Sequence, residues 1–171
     1  MTNPEQPAMD FIPVHDPRWH LLAGGDGGPQ PRPTPRPHAL LSLAQWQAVR
    51  DHWPSELPTG VLLPNTADVA VLAADLPRLA LLVLQFPQWT DDRACSQAQL
   101  LRTRHRFDGE LRASGDVLVD MLPRLQRAGF TSAQLRADQK LDSARRALRF
   151  VDGHDQGDAA QPLPPLQRQA A

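Results

Sequence analysis

Between Pro87 and Asp120 the sequence gathers residues able to hold an anion or move a proton. Asp91, Asp92, Arg93 and Ser96 fall in PQWTDDRACS, Arg112, Ser114, Gly115 and Asp116 in GELRASGD, and Asp120 follows. Arginine presents a rigid fork of donors that matches an oxyanion, and the first N–H groups of a helix add unpaired donors to such a site. Asp91 and Asp116 could orient the arginines or carry a proton. Ordinary capping by Ser96 and Asp116, with Asp91–Arg93 and Asp116–Arg112 as structural ion pairs, explains the same residue types. In GELRA, Glu110 and Arg112 share one face of a strand, so an internal position buries a charge that needs a partner or a ligand.

Other chemistry finds less support. Cys95 is the only cysteine, which excludes an intrachain disulfide and a multi-cysteine metal site and favours a reducing compartment. Its place beside a helix start and Arg93 would lower a thiol pKa, while a buried small hydrophobe is the simpler role. The six histidines, His15, His20, His38, His52, His105 and His154, lack metal-ligand spacing, so no metal is expected. No nucleotide-binding or hydrolase motif is present, and no cofactor is assigned. A net charge of −1 gives no general attraction to nucleic acid or membrane, and the arginine-rich composition, with Lys140 the only lysine, makes arginine position more informative than arginine number.

These residues need elements to position them. LALLVLQF (Leu79–Phe86) has no polar face before Gln85, which predicts a central strand covered on both sides. A capping box at Ser96 predicts a helix to about Arg104, whose Arg102, Arg104 and Arg106 suit the negative end of its dipole on a solvated face. GELRA reads as the next strand. Asp116 then caps a helix with Leu118, Leu122 and Leu125 in one stripe, ending at Gly129, although Pro123 inside it should cost about 3 kcal/mol. Ahead of this, Phe11–Ala23 offers a strand or hairpin, AQWQAVRDHW a helix, GVLLP a strand, and Asn65–Leu76 a helical segment; after it come a strand over Thr131–Arg136 and a last helix capped by Asp138.

The sum is an α/β chain with a mostly parallel sheet of about five strand–helix units, either open and doubly wound or a partial barrel. Residues 1–37 read as an N-terminal segment with a Pro/Gly-rich linker from Gly24 to Pro37, residues 38–151 as the α/β domain, and residues 152–171 as a disordered tail. In such folds ligands sit where strands lead into helices, which would bring Asp91, Arg93, Ser96, Arg112, Ser114, Gly115, Asp116 and Asp120 to one edge. The N-terminus lacks the pattern of a signal peptide, and no apolar run approaches the ~20 residues of a membrane span, so a soluble cytoplasmic protein is expected.

The ordered motifs also resemble a known bacterial family. Phe86-Pro87, Asp91-Asp92-Arg93, Ser96, Leu100-Leu101-Arg102, GELRA, Gly115-Asp116-Val117-Leu118, Asp120 and Arg127-Ala128-Gly129-Phe130 are similar to the signature of domain of unknown function 934, roughly from Val61 to Leu135. Asp92, Cys95, Met121 and Ala128 stand where that pattern has glycine, tyrosine, glutamine and cysteine. The resemblance implies a role in sulfite reduction during sulfur assimilation, as a small oxidoreductase component or as a non-catalytic module that binds sulfite reductase or another enzyme of the pathway. A sulfur oxyanion or a sulfonucleotide is the small ligand such a role implies.

Overall fold

The stretch LALLVLQF can exist as a strand only if both its faces are covered, and it takes the middle of the sheet as β5 (Leu79–Phe86). In the computed structural model, which describes residues 8–14, 16–22 and 32–154, six further strands flank it: β1 (Asp10–Phe11), β2 (His20–Leu21), β3 (Ala39–Ser42), β4 (Thr59–Leu63), β6 (Glu110–Gly115) and β7 (Ser132–Ala133). All pair in parallel, in the order β1-β7-β6-β5-β4-β3-β2.

That order decides between the two architectures. From β2 to β7 each strand lies beside the one before it, so right-handed crossovers from β3 onward fall on one face and the sheet curls into a half-barrel instead of reversing as a doubly wound sheet does. Among the described residues the sheet has seven strands where about five units were expected, and the α-helices number four: α1 (Leu43–Val49), α2 (Arg93–Thr103), α3 (Leu122–Ala128) and α4 (Leu141–His154).

The two faces differ in chemistry. Leu41, Val61, Leu63, Leu82, Leu84, Phe86, Leu111 and Ala113 point outward into one core with Trp46 of α1, Leu101 of α2, Leu125 of α3 and Leu148 of α4. Ile12, Leu81 and Val83 are equally buried but lie outside that core, on the concave side. The chain between β1 and β2 runs from one sheet edge to the other across this hollow. Asp16 reaches Arg112 of β6, and Trp19 covers β4 so closely that a Cβ on Gly60 would stand 3.1 Å from the indole. Among the described residues of the expected Phe11–Ala23 segment there are therefore two parallel edge strands and no hairpin.

Local rules explain several departures from the sequence expectations. α2 starts at Arg93, with Asp92 at its N-cap, so Ser96 is an interior helix residue and makes no capping box. The capping box that does form is Ser42 with Gln45 at the start of α1. α3 begins at Leu122, which places Pro123 in the first turn, where its missing N–H costs nothing, and leaves Asp116 outside the helix. Asp138 precedes α4 without capping it and binds Arg136 instead. Asn65–Leu76 forms loop and a 3-10 turn at Val69–Leu72. Arg102 is half-buried, not solvated: it donates to the carbonyls of Gly129, Phe107 and Gly109, clamping the end of α2 to the next two turns. Helix α4 extends to His154, past the expected start of the tail; residues 23–31 of the linker region and 155–171 of the tail lie outside the described residues.

Candidate functional site

The loops that leave β4, β5, β6 and β7 meet at one rim of the half-barrel. Asn65, buried just after β4, donates to Asp91 Oδ2 at 2.7 Å. Arg93 closes on the same carboxylate through its backbone N–H at 3.1 Å and its guanidinium, with Nη2 at 2.5 Å. These hydrogen bonds from Arg93 hold the Asp91 carboxyl down at about 2.

A second cluster joins the next loops. Gly115 ends β6 with φ +100°, and a Cβ there would lie 2.4 Å from the Phe86 carbonyl oxygen. That oxygen accepts the Asp116 N–H at 2.8 Å, which pins the β6 loop to the β5 loop. Asp116 Oδ2 accepts the Trp89 N–H at 2.9 Å and Oδ1 accepts Arg136 Nη1 at 2.6 Å. Arg136 in turn holds Asp138 with Nε at 2.6 Å and Nη2 at 2.8 Å. The Arg136 guanidinium keeps Asp116 below the usual carboxylate range and Asp138 down at about 2. Trp89, tied to this cluster by its backbone N–H, is 51% exposed.

Arg112 and Ser114 belong to the concave face and not to the rim. Arg112 donates to Glu110 Oε1 from Nε at 3.0 Å and Nη2 at 2.8 Å, and from Nη2 to Asp16 Oδ2 at 3.0 Å. Ser132 Oγ donates to the same Glu110 oxygen at 2.6 Å. Burial works to raise the Asp16 carboxyl, but hydrogen bonds from Arg18 and the nearby Arg112 charge outweigh it and hold the group low. Ser114 Oγ binds Gln134 Oε1, and Gln134 Nε2 donates to the Pro13 and Val14 carbonyls.

Ser96 opens instead on a groove of about 280 Å³ between α2 and α3, lined by Asp92, Cys95, Gln99, Arg124 and Arg127, where Arg124 pairs with Asp92. Burial pushes the Cys95 thiol up. Asp120 is exposed in the 3-10 turn Val119–Met121. The structure thus brings together Asp91 with Arg93 and Gly115 with Asp116 at the rim, while Arg112 with Ser114, Ser96 and Asp120 occupy separate places. Among the described residues no group of His, Cys, Asp and Glu is placed to hold a metal ion, and no helix is long and apolar enough to cross a membrane.

Sequence reading did not single out Asn65, Trp89, Arg136 and Asp138 at the rim, or Asp16 in the hollow. A tryptophan inside an otherwise polar loop was the one available signal. A model of the family described as "Bacterial protein of unknown function (DUF934)" matches residues 60–166, a stretch that contains all four rim loops, and no curated protein matches the chain.

Proposed function

From the premise that the chain belongs to the bacterial family of unknown function DUF934, we propose that it is an accessory module of assimilatory sulfite reduction that docks on a protein partner through the rim. The observation that carries the docking reading is the state of the rim arginines. Arg93 is committed to Asp91, and Arg136 to Asp116 and Asp138, while Trp89 stands half in solvent beside them. A free small anion at the rim must compete with carboxylates already in place. A protein surface needs no such exchange, because an exposed tryptophan in the loop that leads to Arg93, its backbone N–H on the Asp116 carboxylate that Arg136 also holds, has the composition of an interface hot spot.

The sulfur pathway enters through the family resemblance, which names sulfite reductase as the partner to test. Any electron transfer in this reading belongs to the cofactors of that partner. Purified full-length chain should bind purified sulfite reductase in titration calorimetry. Trp89→Ala should weaken binding about 30-fold, the equivalent of a ~2 kcal/mol hot spot, while Leu100→Ala, an exposed apolar residue on α2, leaves it unchanged. No measurable binding, or equal affinity in both variants, overturns the proposal.

A further inference from the structure

The concave-face cluster bears on a different question from the rim. A parallel half-barrel fills its hollow most cheaply with branched apolar side chains, as Leu81 and Val83 do here. Beside them β6 and β7 place Glu110, Arg112 and Ser132, and the Arg112 side chain is 5% exposed. Its pairing is lopsided. Nε and Nη2 share one oxygen of Glu110, Asp16 meets the fork with a single oxygen on Nη2, and Nη1 makes no hydrogen bond among the described residues. Asp16 itself is divided, since its other contacts go to the Arg18 backbone and guanidinium, which is largely in solvent. Glu110, Arg112 and Ser132 lie within the stretch that matches the family, and Asp16 lies ahead of it.

We infer that the concave face holds a site for a compact oxyanion on Arg112, and that the Asp16 carboxylate occupies this site in the absence of ligand. An incoming anion takes both Nη1 and Nη2, which Asp16 with one oxygen does not, and Ser132 and Glu110 keep the guanidinium in place behind it. The room required is the volume of the Asp16 side chain. Asp16 leaves with Arg18 as its remaining partner, so the crossing Asp16–Trp19 lifts from the hollow when the anion enters. Binding is therefore weak in the native chain, because part of the ligand's affinity goes into displacing an internal competitor.

Two probes separate the chemistry: acetate for a planar carboxylate, sulfate for a tetrahedral oxyanion. In full-length protein Asp16→Ala should bind at least one of them about tenfold more tightly than the native chain does in calorimetry. Adding Arg112→Leu to that variant should abolish binding. In the native protein the same anion should accelerate tryptic cleavage after Arg18 several-fold as the crossing lifts. A folded Asp16→Ala protein that binds neither probe more tightly overturns the inference, as does binding that survives Arg112→Leu. Should Asp16→Ala fail to fold, the tryptic measurement on the native chain decides, and unchanged cleavage at high concentrations of both anions overturns it.

Discussion

Asp91 and Asp138 each sit at about 2, against an ordinary aspartate value near 3.9, because arginine hydrogen bonds favour their charged forms. A folded-state value below the unfolded one means the rim pairs stabilise the protein fully above about pH 4, and that this contribution is lost as pH falls from about 4 to about 2. The unfolding midpoint should decline across that window, and Asp91→Asn should flatten part of the decline. Both groups are near the surface, so added salt should shrink the difference between variant and native protein. Gly115 tests the same rim through backbone geometry. With φ at +100° and a carbonyl oxygen 2.4 Å from where a Cβ would stand, Gly115→Ala must strain the backbone and push β6 from β5. A loss of about 2 kcal/mol or more in denaturant unfolding is expected, with Asp116 and Trp89 released from each other. Unchanged stability would mean the two loops are not pinned at this point.

Among the elements, Pro123 gives the sharpest contrast between sequence and structure. A proline within a leucine stripe reads as a break worth about 3 kcal/mol, but α3 starts one residue before it and the ring occupies the first turn. Pro123→Ala should therefore alter stability by no more than about 0.5 kcal/mol, and a gain of several would place the helix start earlier, with the proline in the helix interior. What could be read in advance was whatever one segment decides for itself. The burial of β5 follows from its own composition, and the strand at GELRA and the stop at Gly129 follow from local spacing and turn chemistry. Helix starts failed where two frames competed: Ser96 has a good capping pattern, yet the helix begins at Arg93, whose backbone and side chain are both held by Asp91. The rim itself was half legible. Asp91 with Arg93 is a contact over two positions, whereas Arg136 with Asp116 joins residues twenty apart across strands whose order no local pattern encodes.

For the whole molecule the same limit appears at long range, in the contact of Asp16 with Arg112 across 96 positions. Strand–helix alternation predicts a parallel sheet but is silent on whether the winding reverses, so a half-barrel and a doubly wound sheet share one sequence pattern. The difference has a thermodynamic consequence, because a half-barrel with helices on one side must cover its hollow with something else. Here the residues between β1 and β2 do so, and they lie ahead of Gly60, where the family match begins. Removing residues 1–22 should expose Leu81 and Val83, strip Asp16 from Arg112, and free the edges of β3 and β7. Two apolar side chains returned to water cost about 3–6 kcal/mol, a large part of the 5–15 kcal/mol that holds a typical domain. The truncated chain should melt about 10 °C or more below the native one and expose apolar surface to a hydrophobic dye. If its midpoint stays within a degree or two, the crossing contributes little to the fold. Covering Arg112 would then be its main effect, which is what a displaceable internal ligand requires.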